Sequence, residues 1–297
     1  METTSVNTSV SNAKNTPVQP ARYSAQAKAV LAKNVLKYAA TFWFISIMLG
    51  QWLFFYYIMS FYGFSVINDN MEIWNRWEPL GSKPYDANDS TGNLFFAAHA
   101  IGAGIVAFGG ALQLIPKLRT VAPRFHKING YVYLLTVFCL AMSGFYLSWV
   151  RGTSPDTLSA IGTSINGFLI LGFAYLTVKT ARNKQLASHR KWAIRLFLVS
   201  NAQWFLRVGV FSYMVTGTVA GANPAFGDPF FPIWTFACFL LPLASAQLYF
   251  YASEKGSNRL KLLTGGVLCG LTLMMLIGVM GLTPFLIKII NGEAIVF

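Results

Sequence analysis

Charged residues are scarce in this sequence, and acidic residues especially so. Asp and Glu number 10 among 297 residues, and all charged residues make up 11% of the chain, against 55% hydrophobic residues. A soluble globular domain carries about 25% charged residues. The shortage excludes an ordinary soluble domain and indicates a protein built for the lipid bilayer.

Cysteine is also rare, and common enzyme motifs are missing. Cys139, Cys238 and Cys269 lie in apolar segments without C-x-x-C spacing, which argues against disulfides, zinc sites and thiol redox motifs. There is no G-x-S-x-G, Walker loop or H-E-x-x-H motif. Every Asp and Glu falls in a predicted loop or tail, so the intramembrane carboxylate typical of proton-coupled transporters is absent.

Long apolar stretches, by contrast, recur along the chain at close to the roughly 20 residues that a helix needs to cross a bilayer. The seven stretches are Tyr38 to Phe61, Leu94 to Leu118, Ile128 to Val150, Leu158 to Val178, Trp192 to Val215, Phe231 to Ala252 and Leu262 to Ile287. Each must be helical because lipid cannot satisfy exposed backbone amides. The predicted fold is an all-α, polytopic membrane protein with seven transmembrane helices.

The basic residues predict the orientation of these helices, because cytoplasmic connections retain Lys and Arg. With the N-terminus inside, eighteen of the 23 basic residues fall on the inner side and four on the outer side, while Arg207 lies within the fifth helix. The N-terminus is therefore predicted inside and the C-terminus outside. The net charge of +13 reflects topology and contact with anionic lipid, and nucleic acid is not an expected partner.

The sequence predicts one transmembrane domain over residues 36–297, preceded by a disordered cytoplasmic tail over residues 1–35. The longest connection, residues 62–93, is predicted outside and contains Trp74 and Tyr85 among five carboxylates. It could fold back as a cap or rest on the lipid headgroups as an aromatic segment.

Two hairpins of the same orientation form the predicted core, residues 93–215. The second and third helices make one hairpin, the fourth and fifth make the other, and each inner loop ends in a His-basic pair, His126-Lys127 and His189-Arg190. This repetition indicates a duplicated four-helix core. If the hairpins pack about a two-fold axis, His126 and His189 would face each other as bis-histidine haem ligation requires. The alternative is that both are interfacial residues touching phosphates or capping helices.

A second polar group is predicted nearer the outer side. His99 lies in the second helix, and Ser200, Gln203 and Arg207 follow a three-and-four spacing on one face of the fifth helix. Polar side chains inside the bilayer are costly and are therefore functional candidates. His99 and Arg207 lie at similar depths and could meet.

The second helix also carries a stripe of small residues between His99 and Gln113, with glycines at positions 102 and 109. Small residues allow another helix to approach closely, and this is one interpretation of the stripe. The other is a flat cofactor, such as haem, lying against the glycines.

Several motifs resemble a known family. They are Gly109-Gly110 with Gln113 and Pro116-x-x-Arg119, then His126-Lys127-x-x-Gly130-Tyr131-x-Tyr133, then His189-Arg190-x-Trp192-x-x-Arg195 with Arg207. This pattern resembles domain-of-unknown-function family 2306, an uncharacterised family of bacterial predicted membrane proteins, over roughly Asn93 to Val215. Lys127 stands where the pattern leads us to expect Arg, which preserves the charge. The resemblance implies a membrane protein but no activity.

The leading functional hypothesis is a b-type haem-binding redox or haem-handling protein; if it is an enzyme at all, it is a membrane oxidoreductase. Its three histidines are the candidate metal ligands. Arg195 and the loop cations Lys117, Arg119 and Arg124 are candidates to neutralise the haem propionates at the inner surface. The full set of candidate cofactor-binding residues is His99, His126, His189, Arg195, Arg207, Gln203, Gln113 and Arg119.

Two other functions stay open. One is a transporter or channel for a small polar or anionic solute, with His99, Gln203 and Arg207 forming its site. The other is a non-catalytic subunit or assembly factor of a membrane complex. Expected partners are the lipid bilayer and either other membrane proteins or a quinone, and the simplest location is the bacterial inner membrane.

Overall fold

A computed structural model describes residues 20–76, 84–225 and 227–293, with side chains from residue 26 onward. The α-helices of these residues are α1 (Pro20–Ile58), α2 (Phe64–Ile67), α3 (Ser90–Gln113), α4 (Pro116–Val121), α5 (Pro123–Trp149), α6 (Thr157–Arg182), α7 (Leu186–Ser200), α8 (Ala202–Val219), α9 (Phe230–Lys255) and α10 (Asn258–Asn291). The described part of the chain contains no β-strand, so the prediction of an all-α fold is confirmed.

Six helices in the described ranges are long and apolar enough to cross a membrane. The first is a continuous helix over Gln26–Ile67, in which a π-helical turn, Met59–Gly63, joins α1 to α2. The others are α3, α5, α6, α9 and α10. The chain is thus a membrane protein with several apolar helices, as its composition predicts.

The predicted fifth span is divided into α7 and α8, so the prediction of one uninterrupted helix there is wrong. The break lies at Asn201, where Ser and Asn side chains compete with the helical hydrogen bonds. The Asn201 amide donates to the Phe197 carbonyl at 2.7 Å. Asn166 of α6 donates to the Val199 carbonyl at 3.0 Å. These buried amides replace the hydrogen bonds that the backbone loses at the break.

The first helix begins earlier than predicted, at Pro20. Residues 20–35, predicted as part of a disordered tail, are therefore helical, whereas residues 1–19 lie outside the described residues. Proline suits the first position of a helix, and the following residues are mostly strong helix formers such as Ala, Gln and Lys. Leu36 is buried and packs with Ala252 of α9 and Leu268 of α10, which stabilises this part of α1.

The connection before α3 folds back onto the helices. Trp74, in a 3-10 helix over Met71–Arg76, is only 1% exposed, and its indole N–H donates to the Ser65 hydroxyl. The Asn75 side chain both donates to and accepts from the backbone of Tyr85. The described part of this connection is therefore a cap, while residues 77–83 lie outside the described residues.

Arg151 fixes the N-terminal end of α3 to the C-terminal end of α5. Its guanidinium forms an ion pair with Asp89 at 3.2 Å and donates to the Gly92 carbonyl and to the Asn93 side chain. Asp89 also caps α3 by accepting from the Gly92 N–H. Arg151 is therefore fully engaged in holding this end of the bundle together.

The helices of the two predicted hairpins pack in sequence, but the largest cluster of buried side chains is built from α1, α3, α7, α8, α9 and α10. α3 packs along α5, α6 packs along α7, and α5 and α6 join the hairpins. Gly110 of α3 lies against Tyr133 of α5 and Phe197 of α7. α1 packs against α3 and α10, and α8 packs against α9 and α10. This arrangement leaves a space between α1, α10 and the α7–α9 segment.

Candidate functional site

A cavity of about 810 Å³ lies between α1, α10 and the α7–α9 segment. Small-molecule and cofactor sites typically have volumes of roughly 300–1,000 Å³, so the cavity is large enough for either. Most of its wall is apolar, with Phe44, Leu198 and Met275 as examples. Its polar lining includes both His126 and His189, and these histidines come from different hairpins.

The orientation of His189 is fixed by a backbone hydrogen bond. Its Nδ1 lies 3.0 Å from the carbonyl oxygen of Thr177 in α6. Because a carbonyl only accepts hydrogen bonds, Nδ1 must carry the hydrogen, and in the neutral ring Nε2 then carries a lone pair. Metal-ligating histidines are commonly oriented by such a bond. His189 is therefore prepared to bind a ligand through Nε2.

His126 sits in the first turn of α5 and interacts electrostatically with His189 and Arg119. Its Nδ1 is buried and has no hydrogen-bond partner among the described residues. Gln113 at the end of α3 donates to the His126 backbone carbonyl at 3.0 Å and so fixes the position of this turn. A buried ring nitrogen without a partner is unfavourable, and a bound group in the cavity could satisfy it.

Three cations line the cavity together with these histidines: Lys37 of α1, Arg119 of α4 and Arg190 of α7. Of these three cations, only Arg119 was predicted from the sequence to neutralise haem propionates. The sequence did contain an indication for Arg190, because this residue is the basic member of the second His-basic pair, His189-Arg190. Lys37 had none, because only the packing of α1 brings it here.

Lys117 and Arg124, also predicted to neutralise propionates, do not line the cavity. Arg195, predicted for the same role, is not in its wall either. It donates to the Gln247 side chain of α9 at 2.6 Å, and its guanidinium lies 4.5 Å from the Trp192 ring centroid and 5.1 Å from that of Phe250. Arg195 therefore joins α7 to α9.

The glycine stripe of α3 is a contact between helices. A Cβ atom at Gly102 would lie 3.1 Å from Leu140 Cδ2, and one at Gly109 would lie 2.9 Å from Asn129 Oδ1. Asn129 also donates to the Gly109 carbonyl at 2.9 Å. Side chains of α5 fill this surface, so the helix-packing interpretation is correct and the interpretation of a cofactor lying against the glycines is wrong.

His99 lies outside the cavity wall, so the structure does not join it to the other histidines. Its Nδ1 lies 2.8 Å from the Ser143 hydroxyl. That hydroxyl donates to the Cys139 carbonyl, so His99 Nδ1 is the donor and Nε2 is the acceptor.

Arg207 is brought to the neighbourhood of His99, as their predicted depths suggested. Arg207 interacts electrostatically with His99, and its guanidinium lies 5.6 Å from the Phe54 ring centroid. Both Arg207 and Gln203 are exposed. Ser200 of the same stripe is instead hydrogen-bonded to the Tyr133 hydroxyl.

The far part of the cavity, toward the α8–α9 connection, is also partly polar. Ser212 and Tyr213 line it, and the Ser212 hydroxyl has no hydrogen-bond partner among the described residues. The Tyr213 hydroxyl donates to Asp228 at 2.6 Å, and the Ala225 N–H donates to the same oxygen. These two hydrogen bonds lower the pKa of Asp228 because they stabilise its carboxylate.

The described residues contain no group of three or more His, Cys, Asp and Glu side chains that could hold a metal ion. A haem needs only one or two ligands from the protein. The two histidines that line the cavity, His126 and His189, are the residues that could ligate such a group there.

Comparisons with known proteins identify the chain only at the level of its family. No curated protein and no solved structure matches it. A family model described as "Predicted membrane protein (DUF2306)" matches residues 96–249, which extends the predicted resemblance into α9 and includes all three histidines. The match covers more than half of the chain, which therefore belongs to this family of predicted membrane proteins.

Proposed function

We propose that this protein is a b-type haem protein of the membrane, with His126 and His189 as the haem ligands. The observation that carries the proposal is the convergence of these two histidines, from separate hairpins, on one cavity. The Thr177 carbonyl orients His189 through Nδ1. The second imidazole is that of His126, whose buried Nδ1 has no hydrogen-bond partner among the described residues. A bound group could satisfy this nitrogen.

The wall of the cavity suits both halves of a haem. Apolar side chains such as Phe44 and Leu198 would pack on the macrocycle and exclude water. Lys37, Arg119 and Arg190 would pair with the propionates, as Arg and Lys pair with carboxylates elsewhere. A bound haem would supply one-electron redox chemistry, with a quinone or another membrane protein as the proposed electron partner.

Haem content tests this proposal. Purified after expression with added haem precursor, the protein should contain about one haem b per chain by the pyridine haemochrome assay. One site is expected because His99, the third histidine, lies outside the cavity. A protein that stays colourless after titration with haemin would contradict the proposal.

We also propose that α7 and α8 together make a seventh membrane crossing, with the N-terminus inside and the C-terminus outside, in a bacterial inner membrane. Two features support this. The 15 residues of α7 and 18 of α8 give a combined length of about 50 Å at roughly 1.5 Å per residue. The asymmetry of the basic residues also requires the α6–α7 connection to be inside.

Cysteine labelling should distinguish seven crossings from six. The native cysteines are replaced by alanine, and single cysteines are placed on either side of the α7–α8 segment as Asn183→Cys or Gly227→Cys. In intact spheroplasts, a membrane-impermeant maleimide should label Gly227→Cys and leave Asn183→Cys unlabelled until the membrane is permeabilised. Equal labelling of both in intact spheroplasts would show that the segment does not cross.

A further inference from the structure

Ser212 of α8 carries a buried hydroxyl that lacks the hydrogen bond usual for a serine inside a helix. The residue is 5% exposed, and its hydroxyl has no hydrogen-bond partner among the described residues. Many hydroxyls of these helices donate to the carbonyl four residues earlier, as Thr216 does to Ser212. For Ser212 that carbonyl belongs to Val208, and its oxygen packs closely against Gly278 of α10. A buried donor without an acceptor is unfavourable, so Ser212 has a hydrogen bond to offer to a ligand.

Ser212 lines the same cavity as the histidines but lies far from them along the chain's path. At roughly 1.5 Å per residue, the helices between His189 and Ser212 extend about 35 Å. The charged residues of the cavity wall, Lys37, Arg119 and Arg190, accompany the histidines. No Lys, Arg, Asp or Glu of the described ranges lines the Ser212 end. This end therefore favours an uncharged ligand that accepts a hydrogen bond.

Three nearly parallel aromatic rings line the Ser212 end of the cavity. The ring centroids of Tyr213 and Phe230 are 4.2 Å apart with 4° between the ring planes, and those of Phe230 and Trp234 are 5.5 Å apart with 16°. The Trp234 indole N–H donates to the Leu206 carbonyl at 3.1 Å. The indole also lies directly on Gly209, where any Cβ atom would collide with it. These contacts fix a flat aromatic wall, and such a wall favours stacking with another flat ring.

The cavity reaches the surface of the bundle between α9 and α10. Leu241 of α9 and Met274 of α10 both line the cavity, and they are 38% and 45% exposed. Each residue lies near the middle of its helix, at a level where the hydrocarbon of the bilayer surrounds a membrane protein. A ligand dissolved in the bilayer can therefore enter from the side.

We propose that the Ser212 end of the cavity binds the ring of a lipid-soluble quinone. The Ser212 hydroxyl donates to a quinone carbonyl, and the ring stacks on the aromatic wall of Tyr213, Phe230 and Trp234. An anionic lipid headgroup would find no cation at this end, and an acyl chain would leave the Ser212 hydroxyl unsatisfied. The site shares no residue with the histidine end of the cavity, so it stands independently of the haem proposal.

Duroquinone is a suitable probe because durene has the same methylated ring without the carbonyls. Titration of the full-length, detergent-purified protein with duroquinone should quench tryptophan fluorescence saturably, because Trp234 lies in the site. Ser212→Ala should weaken duroquinone binding by about three- to tenfold, which is the effect of losing one uncharged hydrogen bond. Durene, measured by its displacement of duroquinone, should bind more weakly than duroquinone to the unaltered protein and equally to both proteins.

The matched control is Ser245→Ala, which removes a hydroxyl from the wall of the same cavity. The Ser245 hydroxyl already donates to the Leu241 carbonyl at 2.8 Å, so its loss should leave the duroquinone affinity unchanged. Absence of saturable quenching, or equal duroquinone affinity in Ser212→Ala and Ser245→Ala, would overturn the proposal. So would durene that binds the unaltered protein as tightly as duroquinone, because the site would then be only an apolar groove for lipid chains. The fluorescence measurement requires no haem, so these outcomes are separate from the test of haem content.

Discussion

The His189→Ala variant is expected to lose at least about nine tenths of the haem bound by the unaltered protein, measured by the pyridine haemochrome assay. His189 lies in the cavity wall, and the Thr177 carbonyl holds its ring so that Nε2 is free. Even a change in a residue that only supports a metal ligand costs about 10- to 100-fold in affinity. Loss of the ligand itself should therefore be at least as severe.

The control for this variant is Ser188→Ala, which changes the neighbouring residue on the same turn of α7. Ser188 is exposed and does not line the cavity, so the haem content of Ser188→Ala should equal that of the unaltered protein. Both variants should elute from a sizing column at the same volume. Equal haem content in His189→Ala and Ser188→Ala would exclude His189 as a ligand.

The Gly278→Val variant is expected to unfold at a markedly lower temperature than the unaltered protein. Gly278 of α10 makes the close contact with α8, since a Cβ atom at this position would collide with the Val208 backbone carbonyl oxygen. A flexible side chain could move away, but a backbone oxygen of a packed helix cannot. Overpacking typically costs about 1–3 kcal/mol or more, and here it would also displace α8 from the cavity wall.

Gly270→Val is the matched control for this substitution, because it changes the same residue type on the same helix. A Cβ atom at Gly270 would meet nothing within 4 Å, and the residue is exposed. Thermal unfolding followed by tryptophan fluorescence should show a large decrease for Gly278→Val and little change for Gly270→Val. Similar unfolding temperatures for the two variants would mean that the contact between α8 and α10 is not as close as the structure has it.

Much of the fold could be predicted from the sequence because lipid restricts the choices. The apolar stretches had to be helices, and six of them are present as long helices among the described residues. The glycine stripe indicated a close contact on α3 but left open whether a helix or a cofactor makes it, and the structure places α5 there. The early start of α1 was missed because polar composition in residues 20–35 suggested a tail, whereas packing of Leu36 against α9 and α10 stabilises a helix there.

The break at Asn201 shows where hydropathy alone misleads. The sequence around it is apolar enough to be read as one span, yet Ser200 and Asn201 carry side chains that compete for backbone hydrogen bonds. The break is stable because Asn166, on another helix, supplies the missing donor. A contact between residues 33 positions apart in sequence leaves no local signal.

The candidate site was only partly predictable for the same reason. The repeated His-basic pairs indicated that His126 and His189 belong at one end of the bundle, and the structure brings both to one cavity. Much of the rest of its wall comes from α1, α9 and α10, which carry no motif. Lys37 lines the site and Arg195 does not, because of how these helices pack. The spacing of residues along the sequence does not predict this packing.

The electron paramagnetic resonance spectrum of the oxidised, purified protein tests the central claim most directly, because it reports the axial ligands of the haem iron. If His126 and His189 hold one haem between them, the unaltered protein should give a low-spin signal typical of two imidazole ligands. His126→Ala should convert any remaining haem to a high-spin form. A high-spin signal from the unaltered protein, or a low-spin signal that persists in His126→Ala, would contradict the account.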